Sequence, residues 1–258
     1  MAERKIGPGD HLKFLGTAGA RFVMIKQLRH SGGIWLSAKG TNILIDPGPG
    51  SLVRCLSSRP KLEPALLDAI ILTHRHIDHC NDVNVIIEAM TDGGFKKRGE
   101  VFCPPDAIKG DPVIFQYVRA YVDKVTLLKE RSRYRIGNFT FQTSMRHIHP
   151  AQTYGLKFDL NGRSVALMTD TAAFDKLKDF YKVHTLIMCV VFPERRPGIQ
   201  HLSLEEAVIL IKQMKPRRVV LTHFGMRMLA AKPHLLAEKL TQELGIEIIA
   251  ATDGLTIA

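Results

Sequence analysis

Residues 73 to 80 read Thr-His-Arg-His-Ile-Asp-His-Cys, which puts three histidines and one aspartate (His74, His76, Asp78, His79) within six positions. Packing has no use for that density of imidazole, whereas a dinuclear metal centre does. In an extended loop successive side chains alternate. The spacing therefore predicts His74, His76 and Asp78 leaning one way and His79 turning towards a second ion. Imidazole and carboxylate donors together favour Zn²⁺, with Mn²⁺ or Fe²⁺ also tolerated.

Such a loop needs elements that hold it, and a weak internal repetition supplies them. Ala69-Ile-Ile-Leu-Thr-His74 and Arg218-Val-Val-Leu-Thr-His223 share one plan: a buried strand, then Thr, then His. Val165-Ala-Leu-Met-Thr-Asp170 repeats it with Asp in the last place, and Asn42-Ile-Leu-Ile-Asp46 does so without the Thr. Open α/β sheets gather chemistry beyond the carboxyl ends of their strands, so four such ends are expected to converge on one site.

Alternation of short β-rich runs with helical stretches is the pattern of a layered α/β protein. Strands are predicted at 11–15, 33–37, 42–46, 69–73, 100–103, 124–128, 139–144, 153–158, 164–169, 185–191, 218–222 and 247–250. Helices are predicted at 51–57, 65–67, 80–90, 112–121, 173–181, 204–214 and 234–244. The helix from Leu204 carries the clearest signals. Ser203 and Glu206 form a capping box, and Leu204, Ala207, Val208, Ile211 and Met214 make one apolar face. No long linker or low-complexity segment interrupts the chain, so residues 1–258 read as a single domain.

Taken in order, His74-x-His76-x-Asp78-His79, a downstream histidine, Asp170 and His223 resemble the metallo-β-lactamase superfamily of metal-dependent hydrolases. The likeness runs from Gly16 to Asp253-Gly254. It implies a four-layer αββα sandwich, two mixed β-sheets with helices on the outer faces. It also implies His74, His76 and His149 on one metal, Asp78, His79 and His223 on a second, and Asp170 bridging both. Asp46 is then expected to orient a ligand rather than bind metal. His147 and His149 compete for the third histidine place, since on a strand both would face one side. His149 is preferred because its spacing to Gly155 resembles the His-x₅-Gly pattern of the phosphodiesterase branch, which leaves His147 as a supporting residue.

Two ions about 3.5–4 Å apart share a water, lower its pKa and clamp the attacked and leaving oxygens, so a bridging hydroxide is the implied nucleophile. Asp78 belongs to that catalytic group. The segment His201-Leu-Ser-Leu-Glu-Glu206 resembles one in ribonuclease Z and related cyclic-phosphate phosphodiesterases, where the histidine faces the metals. His201 also precedes a helix N-terminus, which favours anions, and is the candidate proton donor to a departing alkoxide. Arg195 and Arg196 are candidate phosphate clamps on the same loop. No GxGxxG or GxxxxGK[ST] segment suggests an organic cofactor. Gly16-Thr-Ala-Gly19 reads as a short turn able to approach the metals. Cys80 and Trp35 read as packed residues, and His11, His30, His184 and His234 need no role.

Composition bounds the rest. A net charge of +11 favours anionic partners such as phosphorylated metabolites, nucleotides or RNA. The longest apolar run, 186–192, is too short to span a bilayer. Met-Ala-Glu-Arg-Lys at the start leads into no apolar signal core, and four scattered cysteines without a CxxC pair read as reduced thiols. A cytoplasmic location is expected, with no membrane partner, and homo-oligomerisation stays open. The leading expectation is a dinuclear metal-dependent phosphodiesterase acting on a small, cyclic or nucleotide-like phosphodiester. Alternatives are a ribonuclease Z-like RNA 3′-end endonuclease, a lactone or thioester hydrolase, and a non-catalytic nucleic-acid-binding protein. The endonuclease lacks a clear Gly- and Pro-rich arm here, and the binding protein would be expected to have lost ligands.

Overall fold

A computed structural model describes residues 9–31 and 33–258, so the amino-terminal segment read above for a signal lies outside the described residues. The strands form two sheets of seven. In spatial order the first contains β14 (Thr256–Ile257), β1 (His11–Phe14), β2 (Ile34–Ala38), β3 (Thr41–Ile45), β4 (Ala69–Ile71), β5 (Glu100–Cys103) and β6 (Lys124–Leu127). The second contains β13 (Glu247–Ala250), β12 (Arg218–Thr222), β11 (Thr185–Cys189), β10 (Arg163–Met168), β9 (Tyr154–Leu160), β8 (Phe139–Arg146) and β7 (Arg133–Ile136). Both are mixed: β3 to β6 and β10 to β13 run parallel, while β1, β2, β7, β8 and β9 pair antiparallel with their neighbours.

Strand alternation explains the layering. Ile43, Ile45, Ala69 and Ile71 face the opposing sheet and meet Val165, Leu167 and Ile187 from it. The residues between them, Leu44 and Ile70, face outward beneath α2 (Ser51–Ser57), α3 (Ile77–Cys80) and α4 (Val83–Met90). On the other sheet Ala166, Met168, Leu186 and Met188 face α5 (Leu177–Phe180), α6 (Leu204–Met214), α7 (Met226–Ala230) and α8 (Pro233–Leu244). A strand buried on both faces therefore reads as a continuous apolar run. Each buried Leu or Ile contributes about 1.5–3 kcal/mol. The result is the expected αββα sandwich.

The predicted 204–214 helix is α6 with both capping-box bonds, Glu206 N donating to Ser203 Oγ and Ser203 N to Glu206 Oε2. The predicted 112–121 helix does not form. Ile114, Val118 and Val122 are buried at fourfold spacing, but side chains replace the helical backbone bonds. Asn84 brackets Val113 O and Phe115 N at 2.9 Å each, and Arg119 Nε donates to Ile114 O at 2.9 Å. Only one 3₁₀ turn, Val118–Ala120, remains. The predicted 80–90 helix is split into α3 and α4, where Asp82 N turns aside to Pro47 O. The 173–181 helix shrinks to α5, and β7, β14, α1 (Ala20–Ile25) and α7 were not foreseen. Among the described residues no helix is long and apolar enough to cross a membrane.

Candidate metal centre

Parallel strands of both sheets deliver the site. Asp46 follows β3, His74 follows β4, Asp170 follows β10 and His223 follows β12, each within three residues of its strand end. The chain must turn sharply there, and both Asp46 (φ 53°) and His223 (φ 63°) take left-handed backbone conformations. Such conformations cost about 1–3 kcal/mol and persist where surrounding contacts over-determine them.

Two groups of donor atoms result. Nitrogens of His74, His76 and His149 lie within 4.8 Å of one another and of an Asp170 oxygen. Asp78, His79 and His223 make a second group of the same tightness. Asp170 stands between them, with Oδ2 3.7 Å from His74 Nε2 and Oδ1 3.4 Å from His223 Nδ1. Strand alternation in the 73–80 loop would put Asp78 beside His74 and His76. It joins the other group instead, because α3 starts at Ile77 and winds Asp78 and His79 onto one turn.

The hydrogen bonds behind each imidazole fix its orientation. Thr73 Oγ1 donates to Asp46 Oδ2 at 2.6 Å, so it accepts from His74 Nδ1 at 3.1 Å and leaves Nε2 bare. His79 Nδ1 donates to Asp46 Oδ2 at 3.0 Å, and Asp46 Oδ1 also takes the Thr73 N–H. His149 Nδ1 donates to the Gln200 carbonyl at 3.0 Å. Each ring thus spends its proton on the protein and aims its other nitrogen inward, the arrangement in which histidines ligate metal.

Those inward nitrogens meet face to face. His149 Nε2 is 2.9 Å from His76 Nδ1, and His79 Nε2 is 3.0 Å from His223 Nε2. His74 Nε2, Asp170 Oδ1 and His223 Nδ1 are buried with no hydrogen-bond partner. Unpaired buried donors and acceptors are costly, so the cluster calls for cations between its members. The donor set of imidazoles and carboxylates fits divalent metal ions.

The charges agree. Burial pushes the His74 and His76 imidazoles down, and His149 down to about 4, so they are neutral, ligand-ready rings. Burial also works against ionisation of Asp170, but His223, His201 and His79 outweigh it and hold the carboxyl well below the usual range. Asp78 behaves likewise: burial is outweighed by His79 and His223. His79 is the exception, raised despite burial by Asp78, Asp170 and Asp46.

His147 and His149 part company. The strand argument put both on one face, but β8 ends at Arg146 after a register shift, and both lie beyond it. Burial lowers His147 to about 4. The neutral ring donates from Nδ1 to the Asp170 carbonyl at 3.0 Å and accepts at Nε2 from Tyr181 O–H at 2.7 Å. A Cβ on Gly155 would come 1.7 Å from that hydroxyl, so the glycine leaves Tyr181 room to reach His147. Gly19 serves a similar end, since a Cβ there would meet the His223 carbonyl oxygen at 2.0 Å. Sequence reasoning missed Tyr181, which no motif marks. It saw Thr73 only as part of a repeat, and Cys189 only as one of four reduced thiols; the thiol is free and buried as expected, with its sulfur within 4.8 Å of donor atoms of Asp170 and His223.

His201 reaches the centre from the loop before α6, its Nδ1 3.6 Å from Asp170 Oδ2 and its ring edge-on to His149. Burial lowers its pKa. Arg195 does not reach the ligands. Its guanidinium lies 3.3 Å from Glu206 and its backbone N–H is held by Glu205. Arg196 is half-buried on the same loop.

A profile of the beta-lactamase superfamily domain matches residues 41–224. The chain is 29% identical over 253 residues to the uncharacterized protein MJ1374 of Methanocaldococcus jannaschii, covering 95% of this chain and 93% of that one. It superposes on the metallo-beta-lactamase fold protein YhfI from Bacillus subtilis with a TM-score of 0.79 at 19% identity, covering 97% and 99% of the two chains. A diphosphatase of the PhnP family gives a TM-score of 0.72 at 21% identity, covering 96% and 97%. At those identities the structural likenesses speak for the fold, while the profile speaks for descent. With its clustered histidines and aspartates, the chain belongs to the beta-lactamase superfamily and is a metallo-hydrolase of that fold.

Proposed function

We propose that this centre hydrolyses phosphodiesters and holds two divalent ions, zinc by donor type, with His74, His76 and His149 on one, Asp78, His79 and His223 on the other, and Asp170 shared. Asp46 and His147 act as positioning residues through His79 and the Asp170 backbone. When bound, the ions supply Lewis acidity and positive charge. In the reaction a water oxygen bonds to phosphorus, the bond to the departing oxygen breaks, and that alkoxide takes a proton. His201 carries the reading: an imidazole with Nδ1 3.6 Å from Asp170 Oδ2 and its side chain 20% exposed is placed to hand over that proton. A thioester releases a thiolate that needs no such donor, whereas a lactone, like a phosphodiester, releases an alkoxide that does. The anionic substrate also suits the net charge of +11.

RNA 3′-end cleavage is the second reading, supported by the same charge and by the likeness of the 201–206 segment to ribonuclease Z. Both readings take the chain as one catalytic domain working in the cytoplasm. The test is turnover of bis(p-nitrophenyl) phosphate, a cyclic nucleotide, a short RNA and a simple lactone by metal-analysed protein. Chelator-sensitive phosphodiester cleavage with two metal equivalents is expected. Lactone cleavage alone would move the chain to carbon esters.

A further inference from the structure

The centre opens on a cleft of about 820 Å³, and His76, Asp78, Asp170 and His201 line its floor. The volume matches small-ligand sites rather than a groove for a long polymer. Its wall is apolar and exposed. Phe22 (60%), Ile25 (65%) and Ile77 (57%) line it, together with Ile199 and Met226. Large apolar side chains gathered around one opening mark a binding surface. Two cations share that wall: Arg21 on α1 and Arg227 on α7. Among the described residues no ion pair or side-chain hydrogen bond engages either guanidinium, in contrast to Arg195.

The wall is also held in place. Ala18 bridges Phe224, Gly19 N donates to Phe224 O, and Phe224 N donates to Thr17 O, so the start of α1 is fastened to the His223 turn. Asp253 closes the far end, taking Thr17 Oγ1 at 2.7 Å and His30 N at 2.8 Å. An exposed apolar face pinned this firmly over a metal centre has the form of a built subsite.

The chemistry of the lining separates the candidate ligands. Among the described residues no Ser, Thr, Asn, Gln or Tyr side chain lines the cleft. A nucleobase presents several donors and acceptors, and a site that selects one must match them or leave them unpaired. An alkyl, acyl or plain aryl group makes no such demand.

We infer that this cleft takes a phosphodiester bearing one large apolar substituent, with Phe22, Ile25, Ile77, Ile199 and Met226 receiving that group and Arg21 and Arg227 holding the phosphate anion. This rests on the phosphodiesterase reading above and narrows it away from nucleotides and RNA. Arg21 and Arg227, rather than Arg195 and Arg196, set the preference for an anion.

The test is binding of methyl-, butyl- and octylphosphonate to the metal-loaded full chain by calorimetry, alongside turnover of alkyl 4-nitrophenyl phosphates and 4-nitrophenyl alkanoates of matching lengths. Affinity is expected to rise about 2- to 4-fold per methylene, the increment that burying a CH₂ supplies. Phe22→Ser and Ile25→Ser should flatten that slope. Leu28→Ser, exposed but outside the cleft, should keep it. Arg21→Ala and Arg227→Ala should each weaken every phosphonate about 10-fold and leave the slope intact. Equal affinity at all chain lengths would overturn the inference, as would a mononucleotide that binds more tightly than octylphosphonate. So would a Phe22→Ser variant that changes the oligomeric state in ultracentrifugation while the slope persists. A chain-length slope on alkanoates with no diester turnover would keep the apolar subsite and sink the phosphodiesterase reading instead.

Discussion

Asp170 and Phe22 line the same cleft, one 2% exposed and the other 60%, and the molecule treats them differently. Around Asp170 each clustered histidine with an assigned tautomer is backed by a residue that turns it, such as Thr73, Asp46 or the Gln200 carbonyl. Around Phe22 the backbone is pinned at both ends, but the side chains face solvent. Floor and wall thus divide the work. Buried, doubly tied donors leave little freedom in the chemistry, while an exposed wall on a fastened loop can change its side chains at small cost to the fold. Reactions are expected to be hard to alter by mutation here and selectivity easy.

Removing a floor ligand gives the sharpest contrast. His76→Ala should lose metal from its group and turnover together, read by metal analysis and assay. A variant with full metal and activity would break the ligand assignment. Next comes His201→Ala, which should keep its metal and lose about 10²–10⁴-fold in phosphodiester turnover. Unchanged turnover would remove His201 from the mechanism. Asp46→Asn takes away the carboxylate that orients His79 and should weaken metal binding about 10- to 100-fold in a chelator competition. Were affinity to stay within twofold, the Asp46 contact would be incidental.

Smaller effects probe what supports each region. Tyr181→Phe leaves His147 Nε2 without its donor and should cost about 1–3 kcal/mol in denaturant unfolding. Asp253→Asn should loosen α1 and raise KM several-fold with kcat and metal content unchanged. A fall in kcat instead would tie the wall to the chemistry. Lastly, burial pushes the Cys55 and Cys103 thiols up from 9.0 to about 12. They stay protonated at pH 8, so folded protein should not react with a thiol reagent until it unfolds. Above pH 9 the unfolded thiols ionise and the folded ones do not, so this part of the stability fades as pH rises towards 12.

The sequence by itself determined the sandwich and most of the histidines and aspartates that gather at one site. The apolar runs that end in His74, Asp170 and His223 are strands buried on both faces, and period and composition are local properties that survive without the fold. The capping box of α6 was legible for the same reason, since its bonds close within four residues. Other features were settled only in three dimensions. Whether 112–121 becomes a helix turned on Asn84 and Arg119, whose side chains take over its backbone bonds. His147 and His149 could not be told apart until the end of β8 sent one ring to Tyr181 and the other to His76. Arg195 carries a charge suited to phosphate, yet Glu206 engages it, while Arg21 and Arg227 come from segments 206 residues apart. Spacing along the chain encodes which side chains share a strand or a turn. Which charge is left unpaired, and over which cleft it hangs, depends on contacts between distant segments that no local pattern records.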